Sequence, residues 1–595
     1  LVEPDGSAER SVARLPRPWI GIVWLVVAAG ALGLGLGRQA LIDPDEGRNA
    51  AVGLAMAVSG DYVVPRLNGL PHLDKPALFH AAEAVAMRLF GASELAARLP
   101  ALVSAWVTVA LTVWFARGLF GRGASWIAGT ACATAPLTIA MARTAIFDST
   151  LSLFVVLALM SFYRAVENEP DEEKVIPKRA IPMGRRWALL AWSAMALGVL
   201  TKGPVALVVP LLVATPYALW RRRSRVVWHL SGPLLHLLIV LPWALAVESS
   251  VPGFLRYALV TETWQRLTTD ELHRGGPIWY FLPYLLAGCF PWIVVAAAGG
   301  WERFRGLPAR ERPALVDRPG LVYLALWVVV PLLFFSLSHS KRPQYILPLV
   351  PALALWTAWA WSRPAERSRA VRAGAIAWLL CGSLLNVSAA AWLPRKFAGD
   401  AELAAGARSA ALALGAVMVM AGALAWLASR RKDLALAALS LPLVVLPLVT
   451  APLGAAVASS RSAKALAVAL RPHLGPDTRI VGIETFSPSL TFYLGRPMHL
   501  SAASGEPLRS NYLLRSYATM AKSGSTTLHE AGWWYESLRS CSQPLIFLLE
   551  SRYREERSTL AAAGLAVLYE DGRLTAMGPC TRGLVAVDPG GAAAP

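Results

Sequence analysis

A cluster of acids and bases follows the first apolar run: Asp43-Pro44-Asp45-Glu46-Gly47-Arg48. Asp45 stands three residues before Arg48, so on a helix or tight turn both side chains can face one pocket. The stretch continues through Asp61, Arg66 and Asn68 to Asp74-Lys75-Pro76. Later come Arg143 and Asp148, then Thr201-Lys202-Gly203-Pro204, then Glu262, Arg266 and His273. The last group is Ser338-His339-Ser340-Lys341-Arg342-Pro343-Gln344-Tyr345. Arg48, Lys75, Lys202 and Lys341 suit a phosphate or pyrophosphate, Lys as a point charge and Arg as a bidentate fork. Carboxylates among such cations can deprotonate or position an acceptor while a leaving phosphate is stabilised. That is the chemistry of glycosyl transfer from a lipid-linked phosphosugar.

Taken singly, each residue also has a structural reading. Asp45, Glu46 and Arg48 could cap and salt-bridge a helix beside the membrane. Lys202 could snorkel at a helix turn. His273 could be a solvated loop residue, Asp148 an N-cap, and Tyr345 an interfacial aromatic. Lys341 and Arg342 could touch lipid headgroups. The functional reading gains from their concentration on one side of the predicted spans.

Those spans dominate the chain. Of 595 residues, 55% are hydrophobic and 16% charged, against about 25% charged in soluble chains. A helix crosses a bilayer in roughly 20 apolar residues. Hydropathy predicts thirteen spans: 19–40, 99–118, 124–142, 146–165, 187–201, 204–220, 228–247, 278–298, 320–337, 344–361, 371–393, 409–428 and 433–456. The first is too long for a signal-peptide core and reads as a retained anchor. The formal charge of +19 sits in short clusters between the spans, so it reports topology rather than nucleic-acid binding. Arg117 and Arg122, Lys174 to Arg186, Arg221 to Arg225, Arg303 to Arg312, Arg363 to Arg372, and Arg430 to Lys432 all fall in alternate loops. With residues 1–18 in the cytoplasm, every such loop is inside, as the positive-inside rule requires. Residues 41–98 and 248–277 are then the main periplasmic loops. Ala77 to Phe90 has the apolar spacing of a helix lying on the membrane surface.

Residues 457–595 form a polar periplasmic remainder ending in an Ala/Gly/Pro tail. Arg479 to Glu484 and Pro544 to Glu550 read as strands and Ser462 to Leu470 as a helix, so a small α/β domain is expected. Cys132, Cys289 and Cys381 lie in apolar runs. Cys541 and Cys580 share the polar segment and could form a disulfide in an oxidising compartment.

The loop-one motifs, with Ala142-Arg143 to Asp148, Leu200 to Pro204, Glu262 to Arg266, Pro277 to Tyr280 and Phe335 to Tyr345, resemble the ArnT-like glycosyltransferases. These are aminoarabinose lipid A transferases and relatives, similar in turn to protein O-mannosyltransferases. The resemblance covers roughly residues 20–360. It implies a GT-C membrane fold over 19–456 and an inverting glycosyltransferase in the inner membrane. The implied donor is a polyprenyl-phosphate sugar, and the acceptor an envelope lipid A, glycan or protein. By motif, Asp45 would be the main catalytic carboxylate, Asp148 a second acid and Glu46 a neighbour. Arg48, Lys75, Lys202, Lys341, Tyr345 and Arg266 would grip the donor phosphate. Asp43, Asp74, Arg143, Glu262 and His273 complete the candidate set. Relatives usually have Glu where this chain has Asp74, and often Asn where it has Thr263. In some, that Glu and a histidine like His273 help hold a metal ion. One short acid and one histidine are too few ligands for zinc, so no catalytic metal is expected.

Two other classes compete. A lipid-linked sugar flippase would need charges near mid-span or repeated halves with broken helices, whereas these charges sit at span ends. A non-catalytic envelope assembly protein would work through residues 457–595, which carry no nucleophile elbow, phosphate loop or metal cluster.

Overall fold

The computed structural model describes residues 18–169, 181–265, 275–306, 318–361, 368–393, 401–522 and 527–580. Among them, seven helices are long and apolar enough to cross a membrane: Glu94–Phe120 (α4), Asp148–Glu167 (α7), Ser224–Ser250, Pro319–Leu337, Arg369–Ala391, Leu403–Leu427 and Lys432–Arg461. Two bent pairs bring the number to nine. Arg122–Ala133 (α5) and Pro136–Ala142 (α6) meet at 59°, and Phe281–Gly288 meets Trp292–Arg305 at 90°. The first break has a local cause. Ala135 is extended (ψ 128°), as a residue before proline prefers, and Pro136 brings no N–H to continue the ladder.

The other predicted spans also fall on helices: Pro18–Ala31 (α1), Met183–Lys202 (α8), Val205–Trp220 (α9), and the 3-10 turn Pro343–Leu349 that runs into Val350–Trp361. α1 stops at Ala31, short of the predicted 40, and turns follow. Gly33, Gly35 and Gly37 lie just beyond, each a poor helix former. Lys202-Gly203-Pro204 separates two helices, because Gly203 adopts φ 112°, a conformation L side chains avoid.

The first long loop positions the chemistry. Asp45–Ser59 (α2) begins with Asp45 and Glu46 in its first turn, where carboxylates favour the positive helix end. Next, Arg66–Leu67 (β1) and Leu70–Pro71 (β2) pair antiparallel. Asn68 (φ 55°) and Gly69 (φ 81°) turn the hairpin, as Asn-Gly does where both central residues need positive φ. Leu78–Phe90 (α3) buries Phe79, His80, Glu83 and Met87 and exposes Val85, Leu89 and Phe90. That split fits a helix resting on a membrane surface.

The C-terminal part is a six-stranded mixed sheet in the order β5-β4-β3-β6-β8-β7. Its strands are Arg479–Ile483 (β3), His499–Ser501 (β4), Leu528–His529 (β5), Leu545–Glu550 (β6), Val567–Glu570 (β7) and Leu574–Cys580 (β8). β3 pairs parallel with β4 and β6; β8 pairs antiparallel with β6 and β7. Strands buried on both faces read as continuous apolar runs, as Leu545 to Leu549 do. Cys541 and Cys580 are joined as a disulfide, Cα atoms 6.1 Å apart. The sheet shares a core with the first loop: Leu41, Val52, Leu67 and Met87 pack with Leu466, Ile480, Leu490 and Met498. Polar contacts reinforce it. Asn68 donates to the Met498 carbonyl (2.7 Å) and accepts from its N–H (2.8 Å).

Candidate functional site

Two cavities meet where the first loop, the ends of α7, α8 and α9, and the 3-10 turn converge. The first is apolar, lined by Leu151 and Val155 of α7, Val208 and Val209 of α9, and Phe334 and Phe335. The second is polar, lined by Asp45, Arg48, His72, Arg342 and Asn511 among others. Both share Asp74, Lys75, Asp148, Lys202, Glu262, Gln344 and Tyr345. Chain geometry puts ions at this junction: Asp148 opens α7 and Lys202 closes α8, each at the helix end that favours its sign.

The charges stand in interlocked pairs. Arg48 donates to Asp45 Oδ1 (2.6 Å) and to the Arg509 carbonyl (2.6 Å). Arg342 Nη1 lies 3.7 Å from the other Asp45 oxygen. The Asp45 side chain keeps 44% exposure and lines the polar cavity. Lys202 pairs with Asp148 (2.5 Å) and lies 4.8 Å from the Tyr345 ring centre. Lys75 donates to Glu262 and to the Asp74 carbonyl. Glu262 also accepts from Asn511 Nδ2 (3.1 Å).

Asp74 accepts from the backbone N–H of Asn511 and of Tyr512 (2.9 Å each) and from the Tyr257 hydroxyl (3.0 Å). Burial opposes its ionisation, but His72, Lys75 and the Tyr512 N–H outweigh it and hold the carboxyl below its usual range. His72, on the wall of the polar cavity, is pushed down to about 4 by burial, which Asp74 only partly offsets. A buried imidazole resists the charge that protonation brings.

Several sequence candidates lie elsewhere. Glu46 is buried, receives both arms of Arg98 (2.8 and 2.7 Å) and accepts from the Ala145 N–H. It locks the loop to α4 rather than lining the polar cavity. Asp43 is buried against the C-terminal part, accepting from the Ser487 hydroxyl (2.6 Å) and from the N–H and hydroxyl of Ser489. Burial raises its pKa despite those bonds. Arg143 Nη1 donates to the carbonyls of Leu32 and Leu34. Lys341 is buried, with its ammonium on the Ser338 carbonyl, and its neighbour Arg342 lines the polar cavity instead. Arg266 and His273 lie outside the described residues. Among the described residues, no group of three or more His, Cys, Asp or Glu is placed to hold a metal ion.

Sequence reasoning missed His72, Asn49 and the whole C-terminal wall of the polar cavity, Gly505 to Asn511 with Leu514. His72 carried one signal, its place two residues before Asp74. The C-terminal wall comes from an ordinary polar turn and carried none.

Known proteins resemble this chain in sequence and in fold. A family profile described as dolichyl-phosphate-mannose-protein mannosyltransferase matches residues 55–258. The chain is 33% identical over 321 residues to a protein of Erwinia tasmaniensis named undecaprenyl phosphate-alpha-4-amino-4-deoxy-L-arabinose arabinosyl transferase, covering 53% of this chain and 55% of that one. It is 32% identical over 329 residues to the protein of the same name from Aeromonas salmonicida, covering 54% and 56%. The matched region thus spans about half the length of these relatives. The crystal structure of ArnT from Cupriavidus metallidurans bound to undecaprenyl phosphate superposes with a TM-score of 0.79 at 25% identity, over 96% of this chain and 100% of that one. Its apo form gives 0.77 at 26% identity, over 96% and 99%. The chain is an ArnT-like, multi-pass membrane protein with a GT-C fold.

Proposed function

We propose that the chain transfers a sugar from an undecaprenyl-phosphate-type donor to an envelope acceptor at the outer face of the inner membrane, inverting the anomeric carbon. The observation that carries this reading is the junction of an apolar groove with a polar cavity at Lys75, Lys202 and Tyr345. A polyprenyl chain fits the groove, its phosphate lies beside the two ammonium groups, and its sugar extends toward Asp45. The acceptor oxygen bonds to the anomeric carbon as the carbon–oxygen bond to the lipid phosphate breaks, and that bond's electron pair leaves with the phosphate. Lys75 and Lys202 stabilise the departing phosphate, with Arg48 nearby. Asp45 takes the proton of a hydroxyl acceptor, or orients an acceptor that is already anionic. Asp148 holds Lys202 in place. Lipid A is one candidate acceptor; another glycan or a protein would use the same steps.

The test is transfer in proteoliposomes from undecaprenyl-phosphate-linked sugars, with mass spectrometry of envelope lipids, glycans and proteins from deletion and wild-type cells. Loss of one glycoform on deletion and its restoration in vitro is the expected result. An unchanged envelope, together with no transfer from any such donor, would reject the reading.

A further inference from the structure

His499 opens β4 and His529 closes β5, two strands that pair parallel with Ser501 opposite His529. Nδ1 of His499 lies 2.9 Å from Nε2 of His529, with the ring planes 15° apart and the ring centres 5.2 Å apart. That separation is close to the greatest a 2.9 Å contact permits. The rings therefore meet end to end, two nitrogens facing each other with one proton between them. The Trp533 indole lies flat on His529, centres 3.5 Å apart at 7°, and its centre is 5.7 Å from that of His499. The indole face thus borders the point where the nitrogens meet. Both rings are half-buried, and burial pushes each down to about 4. Neutral imidazole is the form that binds a metal ion. Neither outer ring nitrogen makes a hydrogen bond among the described residues.

Two imidazoles are fewer ligands than zinc takes. They suffice for a monovalent d10 ion, which accepts two nitrogens in line. The charged neighbour acting on both rings is Arg479, and it repels a divalent ion twice as strongly as a monovalent one. Imidazole suits copper, and a cation beside an indole face gains from the ring quadrupole, most of all with tryptophan. Both cysteines of this part are joined to each other, so no thiol there competes. An imidazole nitrogen sits about 2 Å from a first-row ion, so the rings need part by only about 1 Å. β5 permits this, being a two-residue edge strand paired on one side.

We propose that His499, His529 and the face of Trp533 form a copper(I) site. On binding, the proton in the contact moves to the outer nitrogen of its own ring. Both inner lone pairs then face the ion, and the protein keeps its charge. The two histidines stand at the ends of the excursion that carries Gly505 to Leu514, the wall of the polar cavity, and the helix that Asp74 caps. A bridging ion ties those ends, 30 positions apart, and so sets how firmly the wall is held. The site does not depend on the transferase reading.

The test uses the full chain in detergent, with Cys381, the exposed free thiol, replaced by serine. Copper(I) is presented from its bathocuproine disulfonate complex, silver(I) is a second probe that needs no reductant, and zinc(II) is the comparator. One copper(I) or silver(I) should be retained per chain. H499Q and H529Q should each abolish this, and W533L should weaken it roughly threefold to thirtyfold. X-ray absorption of the copper-loaded chain, which needs no histidine variant, should show two nitrogen neighbours and no sulfur. Limited proteolysis between residues 499 and 529 should slow when the ion is bound. Copper(I) binding unchanged in both histidine variants, or a sulfur neighbour at the copper, would overturn the site. Zinc(II) held at the pair as tightly as copper(I) would reject the choice of ion. Cleavage at the same rate with and without the ion would reject the clasp on the wall.

Discussion

Asp74 Oδ2 lies 2.9 Å from the backbone N–H of Asn511, at the start of the helix Asn511–Lys522, and Oδ1 lies 2.9 Å from the N–H of Tyr512. A carboxylate from the first loop thus caps a helix of the C-terminal part, one residue before the lysine at the cavity junction. Asp74→Ala should lose the cap, worth about 0.5–2 kcal/mol, and displace Lys75. Thermal unfolding should fall, and donor binding should weaken by more than the stability loss explains. A variant with wild-type donor affinity would separate the cap from the site.

Asp45→Asn keeps size and hydrogen bonding but removes the charge between Arg48 and Arg342. Transfer should drop on the order of 10²–10⁴-fold, as for loss of a general base, with donor binding retained. Single-turnover transfer and equilibrium binding on one preparation decide it. Near wild-type turnover would leave Asp45 a structural partner of Arg48 and move the catalytic assignment to Asp148.

Lys75→Ala should act differently. The donor phosphate is charged before reaction as well as after, so the loss should appear first in binding. A rise in donor KM larger than the fall in kcat is expected from steady-state kinetics, and an effect on kcat alone would contradict the phosphate contact.

His72 and Asp74 make the join between the first loop and the C-terminal part sensitive to acid. His72 stays neutral in the fold down to about 4, so its contribution is full above 6.5 and is lost as pH falls from there toward 4. It amounts to about 3 kcal/mol at most. Asp74, held below 3.8, contributes above that value and loses its share below it. Asp43, raised above 3.8, works in the opposite sense: its protonation in the fold partly offsets the loss near the acid end. Limited proteolysis of the C-terminal part should accelerate between pH 6.5 and 4. His499 and His529 of the sheet are also pushed down to about 4 by burial and act in the same window. His72→Gln should therefore reduce that dependence rather than remove it, and an unaltered profile would exclude His72 as a source.

Two placements can be checked directly. A reporter fused after Arg461 should be active only outside the cytoplasm, and one fused near Arg222 only inside. A non-reducing peptide map should link Cys541 to Cys580, a bond whose removal from a small domain costs about 2–5 kcal/mol. Free thiols at both positions would reject it.

Much of this was legible because a bilayer leaves few places for charge. Asp45, Arg48, Lys75, Asp148, Lys202 and Tyr345 were readable as a set, since each falls at the end of a predicted span or in the first long loop, and the charge pattern puts all of these on one side. What failed to read were distinctions smaller than that rule. Lys341 and Arg342 are adjacent cations, and only the local backbone decides that the arginine enters the cavity. Glu46 and Asp45 are adjacent acids in the first turn of one helix, and their different bearings send one to Arg98 and the other to the cavity. The C-terminal wall was invisible for another reason: Arg509 meets Arg48 across 461 positions of sequence, and no local pattern encodes such a pairing.

The shared core also sets a clock. Asp43 closes on Ser487 and Ser489, which follow it by 444 and 446 positions. At about 5–20 residues per second of synthesis, the first loop waits roughly 20–90 s for its counterpart to be made. Throughout that interval the half-built site lacks the wall from Gly505 to Leu514. A nascent chain can thread all its spans before that wall exists, so a product terminated ahead of Gly505 lacks one side of the polar cavity.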